Sequence, residues 1–102
     1  MSNEINLEEM KRSADKACGL MKVLSNRDRL MLLCQINMSE KSVAELESIL
    51  GIRQPTLSQQ LTVLRNEGLV KTRRDGKKIY YSPASEIAAS VMSVLYNHFC
   101  TN

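Results

Sequence analysis

The chain has 102 residues, of which 43% are hydrophobic and 25% charged, and a formal net charge of +3. That length allows one domain, expected over residues 1–102, with a core small enough that oligomerisation is a common remedy. No run of about 18 apolar residues exists to span a membrane, and the polar, acidic start MSNEINLEEM is unlike a secretory signal, so a cytoplasmic location is expected.

Asn6 or Asn3 is placed to cap a first helix running to about Leu24. Its apolar positions Leu7, Met10, Ala14, Ala17, Met21 and Leu24 recur at steps of three and four. That heptad-like seam suits packing along another helix, and a partner subunit is its expected use. The other use is packing within one subunit. Ser25 or Asn26 starts a second helix, NRDRLMLLCQINM, with Leu30, Leu33 and Cys34 on its buried side. Ser42 with Glu45 three residues on forms a capping box. The third helix, SVAELESIL, ends at Gly51 and turns Val43, Leu46, Ile49 and Leu50 inward.

Gly51-Ile52-Arg53 is a tight turn into the stretch QPTLSQQLTVLRNEGLV. Pro55 suits a helix's first turn, and Gly68 suits the position just past its end. Leu57, Leu61 and Leu64 share one face. The other face carries Pro55, Thr56, Ser58, Gln59, Thr62 and Asn66, mostly short hydrogen-bonding groups, flanked by Arg53 and Arg65. Amide and hydroxyl groups between two arginines suit a helix in the major groove of double-stranded DNA. An ordinary amphipathic helix is the alternative. Helix, short turn and polar-faced helix make the helix-turn-helix pattern.

After Gly68 the period becomes two. Leu69 to Arg74 alternates, Asp75-Gly76 marks a turn, and Lys77 to Ser82 alternates again. Arg73, Arg74, Lys77 and Lys78 cluster at the tip of this hairpin, as in a wing over phosphates or the minor groove. Residues 1–50 hold seven Lys/Arg against eight Asp/Glu, whereas residues 51–102 hold seven against three, all seven between Arg53 and Lys78. That is the electrostatic footprint of nucleic acid. Ser82-Pro83 then opens a last helix, with Ile87, Val91, Val94, Leu95 and His98 on one side and Met92 and Phe99 extending it. The resulting fold is mainly α with a β-hairpin wing, in the order α-α-α-α-β-β-α.

This order, with the strings RLMLLC, QPTLSQQLTVLRNEGLV and RRDGKKIYYS, resembles the ArsR/SmtB family of bacterial winged-helix repressors from about Ala17 to Cys100. The resemblance implies a homodimer formed by the first and last helices. It implies binding to palindromic operator DNA and release on meeting an inducer. It also places Gln54, Thr56, Ser58 and Gln59 at the DNA.

Metal-sensing members of that family carry an ELCVC-like string. Here the matching string is Glu40-Lys41-Ser42-Val43-Ala44, with Ser42 and Ala44 in place of both cysteines. The final helix has one histidine, His98, and one carboxylate, Glu86. Zinc or arsenite needs three or four convergent ligands, so no metal and no other cofactor is expected. Three cysteines are present, with no CxxC pair, which argues against a structural disulfide framework. Cys34 and Cys100 occupy the two positions that mark the family's sulfur- and redox-responsive branch, the BigR, SqrR and HlyU type. The resemblance therefore implies an inducer that is a reactive sulfur species or oxidant and bridges these two thiols. Taken singly, Cys34 also suits a small buried hydrophobe, and Cys100 an unpaired thiol on the tail. Cys18 lies beside the first-helix seam and is expected to be structural. Arg27 and Arg29 lie one to two turns before Cys34, and His98 two residues before Cys100, so the sequence leaves open which thiol attacks. With no CxxC, no Gly-rich anion loop and no second histidine, the chain is not expected to be an enzyme. The expected function is a dimeric transcriptional repressor that senses through Cys34 and Cys100. A regulator or antirepressor of the same fold without sensing is the alternative.

Overall fold

A computed structural model describes residues 6–100. The alternative cap Asn3 and the ends of the expected 1–102 domain lie outside them. The elements are α1 (Leu7–Leu24), α2 (Arg27–Met38), β1 (Lys41–Ser42), α3 (Val43–Leu50), α4 (Thr56–Asn66), β2 (Val70–Asp75), β3 (Lys78–Pro83) and α5 (Glu86–Phe99). Helix-turn-helix followed by hairpin makes this a winged helix.

Each helix starts where a side chain can occupy its unbonded N–H groups. Asn6 Oδ1 accepts from Glu9 N at 2.8 Å, and Asn26 Oδ1 accepts from Arg29 N at 3.0 Å. Ser42 and Glu45 form the reciprocal capping box, with Glu45 Oε1 accepting from Ser42 N at 2.9 Å. These bonds, Ser42's first, hold the Glu45 carboxyl below its usual pKa. Gly51 ends α3 at φ +70°. Past α4, Gly68 has φ +76°; its N–H donates to Arg65 O and the N–H of Leu69 to Leu64 O, which closes that end as a Schellman turn.

The core joins Leu32, Leu33 and Ile36 of α2 to Leu46 of α3, Leu57, Leu61 and Leu64 of α4, Leu69, Val70, and Ala88 and Met92 of α5. Helix α2 touches α1, α3, α4, α5 and β3. It is therefore buried on more than one face, and Leu32 and Ile36 join Leu33 inside while Leu30 and Cys34 are half-buried.

Several expectations are corrected. Ser82 and Pro83 do not open the last helix; they end β3, paired with Lys71 and Val70. Ladder pairing outweighs the Ser-Pro helix signal, and Ser85 caps α5 instead, accepting from Ala88 N at 3.1 Å. Pro55 sits at the N-cap position, one residue before α4. The hairpin loop is Gly76-Lys77, because Asp75 pairs with Lys78; Gly76, at φ +64°, takes the first loop position. A third strand joins the wing: β1 pairs antiparallel with β3, so the sheet order is β1-β3-β2. Ile49 is 52% exposed. It lies at the edge of a short helix whose inner line is Val43, Leu46 and Leu50. The expected single apolar side of α5 splits in two. Ala88 and Met92 are buried, with Val91 and Leu95 half-buried, whereas Ile87, Val94, His98 and Phe99 are exposed.

On α1, Leu7, Met10, Ala14, Ala17 and Met21 of the seam are all exposed, and only its end, Val23 and Leu24, joins the core. The radius of gyration is 15.8 Å, above the roughly 13 Å of a compact 100-residue domain. A long α1 exposed over most of its length fits that excess.

Burial of this kind sets different penalties for similar residues. Leu33→Ala is expected to lower unfolding free energy by about 2–5 kcal/mol, and Ile49→Ala by less than about 1 kcal/mol. Urea unfolding of both variants at one protein concentration checks the difference.

Candidate nucleic-acid interface and thiol groove

The polar face of α4 follows from its leucines. With Leu57, Leu61 and Leu64 in the core, the helix period carries Thr56, Ser58, Gln59, Thr62, Arg65 and Asn66 outward, and all six are exposed. Arg53 is exposed in the turn before them. Two groups on this face already have partners. Thr62 Oγ1 donates to the Ser58 carbonyl at 2.7 Å, and Gln54 Oε1 accepts from Ser58 N at 3.0 Å. Gln54 thus supplies the side-chain cap that Pro55 cannot. In this state its amide oxygen is committed to the helix end.

The wing carries Arg73, Arg74, Lys77 and Lys78, all exposed. Arg73 is not a loose cation. Its Nε and Nη2 donate to the Glu40 carboxylate at 2.7–3.0 Å. Its guanidinium also lies 4.5 Å from the centre of the Tyr80 ring, which the strand register sets opposite it. The Glu40 hydrogen bonds and charge raise the Arg73 pKa further. Glu40 therefore belongs to the wing, and a sequence separation of 33 residues hides that pairing. Lys41 was also unforeseen. It is 8% exposed, and its Nζ donates to Gln35 O and Ser39 Oγ at 2.8 Å and to Ser39 O at 3.3 Å. It closes the C-terminal end of α2, where a cation is favoured.

The thiols lie where α2 faces α5. Leu30, Met31, Cys34, Met92, Leu95, Tyr96, Phe99 and Cys100 line an apolar groove of about 360 Å³ between α2 and α5. Cys34, Met92 and Tyr96 also line a second hollow of about 230 Å³ with Asn37, Met38, Ala89 and Ser93. Cys34 is half-buried and Cys100 exposed, at the C-cap of α5. Burial raises the Cys34 pKa above its ordinary value, the neighbouring Cys100 raises it further, and Lys41 lowers it. The cation acting on Cys34 is thus Lys41, which sequence spacing did not single out beside Arg27 and Arg29. Cys18 lies apart from the groove, exposed on α1. Among the described residues, no group of three or more His, Cys, Asp or Glu is placed to hold a metal ion, and no helix is long and apolar enough to cross a membrane.

The pattern of the bacterial regulatory protein, arsR family, matches residues 26–72, from the cap of α2 into β2. A biofilm growth-associated repressor of Agrobacterium fabrum (strain C58) is 50% identical over 97 residues, which are 95% of this chain and 83% of that protein. The crystal structure of the transcriptional repressor BigR from Xylella fastidiosa superposes with a TM-score of 0.84 at 47% identity, over 93% of this chain and 94% of the other. Reduced HlyU from Vibrio cholerae N16961 gives a TM-score of 0.89 at 37% identity, over 93% of this chain and all of the other.

The two thiols of the groove differ enough to be told apart chemically. An exposed thiol meets a soluble alkylating agent before a half-buried one, and only the thiolate reacts. Cys100 is expected to be alkylated faster than Cys34 at neutral pH. Because the Cys34 pKa is raised, its rate should go on climbing at pH values where an ordinary thiol, of pKa about 8.5, has levelled off. Peptide mapping by mass spectrometry across a pH series checks both; equal rates at pH 7 would contradict the assignment.

Proposed function

Because the chain belongs to the ArsR family of bacterial regulatory proteins, whose members are DNA-binding regulators rather than enzymes, we propose that it is a dimeric transcriptional repressor that leaves its operator when Cys34 and Cys100 are bridged. The observation that carries the sensing reading is that these two thiols line one apolar groove between α2 and α5.

The DNA side rests on α4 and the wing. Thr56, Ser58 and Gln59 meet base edges or phosphates in the major groove, with Gln54 beside them at the helix end. Arg53, Arg65, Arg74, Lys77 and Lys78 meet phosphates. Arg73 joins them by exchanging Glu40 for phosphate or by holding the wing in place. Dimerisation uses the apolar faces that one chain leaves in water: Leu7, Met10 and Met21 on α1, and Ile87, Val94 and the 81%-exposed Phe99 on α5. Exposed apolar surface on two helices is what a partner copy would cover. The whole chain, residues 1–102, acts as one DNA-binding and dimerising domain.

The inducer is a persulfide, a polysulfide or an oxidant. With a persulfide R–S–SH, the exposed Cys100 thiolate takes the outer sulfur. The products are Cys100–S–SH and the thiolate R–S⁻. Cys34, once deprotonated, attacks the inner sulfur of Cys100–S–SH. A Cys34–S–S–Cys100 bond forms, and hydrosulfide HS⁻ leaves with the other sulfur. If Cys34 has first taken a sulfur of its own, the same attack gives a trisulfide. The two thiols lose two electrons, and the transferred sulfur gains them on leaving as sulfide, so no further oxidant is needed. The bridge ties α2 to α5, and α5 helps set the spacing of the two α4 helices. That spacing must match one turn of B-DNA, about 34 Å.

DNA selected by the native protein from a random pool serves as operator. Gln59→Ala is expected to lower operator affinity more than random-DNA affinity, since base contacts carry specificity. Lys77→Ala should lower both alike and flatten the salt dependence. Persulfide treatment should weaken operator binding by about 5- to 150-fold, the usual range of allosteric coupling. Cys34→Ser and Cys100→Ser should bind DNA normally and not respond, whereas Cys18→Ser should respond. A Cys34→Ser protein that still leaves the operator on persulfide treatment would overturn the dithiol reading.

A further inference from the structure

Neither the polar face of α4 nor the thiol groove uses Arg29, yet its guanidinium ties two other helices to its own. Its Nε donates to Val23 O at 2.6 Å and its Nη2 to Lys22 O at 3.4 Å, both in the last turn of α1. Those carbonyls have no partner within the helix, and a cation is favoured beside them. Its Nη1 donates to Gln60 Oε1 at 2.8 Å. Gln60 is half-buried on α4, between the exposed Gln59 and the buried Leu61. One planar fork from the start of α2 therefore clasps the end of α1 on one side and α4 on the other.

We propose that Arg29, acting through Gln60, is the positioning residue that fixes the rotation of α4 about its own axis, and so determines operator specificity. The inference rests on the reading of α4 as the DNA-reading helix. Leu57, Leu61 and Leu64 hold α4 against the core, but hydrophobic burial has no direction. It fixes which face of the helix turns inward, but not to the few degrees that a base contact needs. A hydrogen bond is directional and weakens steeply with misalignment. Gln60 adjoins Gln59 in the chain, so whatever turns Gln60 turns Gln59 with it. At a helix radius of roughly 5–6 Å including side chains, a rotation of about 10° moves an outward group by about 1 Å. That shift takes a donor out of hydrogen-bonding range of a base edge, while contacts to phosphates, which carry no sequence information, tolerate it. The other end of the clasp is α1, the helix proposed for dimerisation. The same fork therefore references the orientation of α4 to the dimer rather than to its own protomer alone.

The test leaves Arg29 in place, because removing it would also strip the end of α1. Gln60→Leu removes the acceptor at similar size, and Gln60→Glu keeps an oxygen for the same nitrogen. Affinities of native protein and both variants are measured for the duplex that the native protein selects from a random pool and for random duplex, beside thermal midpoints and dimer dissociation. Gln60→Leu is expected to lose about tenfold in operator affinity, the effect of one lost base contact. Its random-DNA affinity, thermal midpoint and dimerisation should stay native, and Gln60→Glu should retain the operator-to-random ratio. A Gln60→Leu protein with a native ratio overturns the inference. So does one that loses both affinities together or unfolds at lower temperature, which marks a merely structural role. Failure of Gln60→Glu to restore the ratio also overturns it, since the acceptor would then not be what matters. A native protein with no preference among duplexes overturns the DNA-reading role of α4 itself, and this inference with it.

Discussion

The burial of α2 is the constraint on which the rest depends. Leu32, Leu33 and Ile36 are fully buried, and α1, α3, α4, α5 and β3 all pack against this helix. Burying a helix this thoroughly leaves its ends to be satisfied by side chains. Asn26 does so at the start and Lys41 at the end. Lys41 is also the first residue of β1, so the charge that closes α2 fixes where the third strand meets the wing. Interiors are close-packed, so an element in this position passes a displacement to its neighbours rather than absorbing it.

That position gives the proposed function a physical route. Helix α2 carries Cys34 toward α5 and, five residues earlier, Arg29 toward α1 and α4. A bridge between Cys34 and Cys100 would change how α2 and α5 sit on each other. Arg29 holds the same α2 to the end of α1 and to Gln60 of α4. The energy available is small, typically 1–3 kcal/mol for an allosteric coupling. It suffices because the requirement at the DNA is geometric: two α4 helices must reach two successive major grooves at once. The Cys34 environment also gives the chemistry an order. A half-buried thiol of raised pKa is a poor first nucleophile and a protected second one, and the exposed thiol of Cys100 sits beside it.

The fold was legible wherever a local rule decided it. Asn26, the Ser42–Glu45 box, Gly51 and Gly68 mark helix ends by short-range bonds, and the line Leu57, Leu61 and Leu64 fixes the inner face of α4. Most of the misreadings come from a partner distant in sequence. Ser82-Pro83 looks like a helix start until Lys71 and Val70 are seen to pair with it. A two-residue strand, Lys41-Ser42, is too short to show alternation. Ile49 is apolar at helical spacing but falls at the edge of α3. The apolar positions of α5 read as one side, but the fold divides them between the core and an outer face. At the candidate site, the polar face of α4 was visible because it is periodic. The Arg73–Glu40 pair, the Arg29–Gln60 bond and the groove shared by Cys34 and Cys100 join residues 33, 31 and 66 positions apart. No spacing rule reaches that far; the two cysteines were singled out by family resemblance alone.

Under the proposed mechanism, bridging the two thiols changes the distance between the DNA-reading helices of the dimer. It can be read directly with a spin label introduced as a non-cysteine amino acid at the exposed Glu67, at the C-terminal end of α4. Pulsed electron–electron distance measurements would compare the dimer with reduced thiols and after persulfide bridging. A narrow distribution is expected for the reduced dimer, from which α4 helices about one DNA turn apart, about 34 Å, can be built. A distribution displaced from that distance is expected in the bridged dimer. Superimposable distributions in a protein shown by mass to be fully bridged would contradict it.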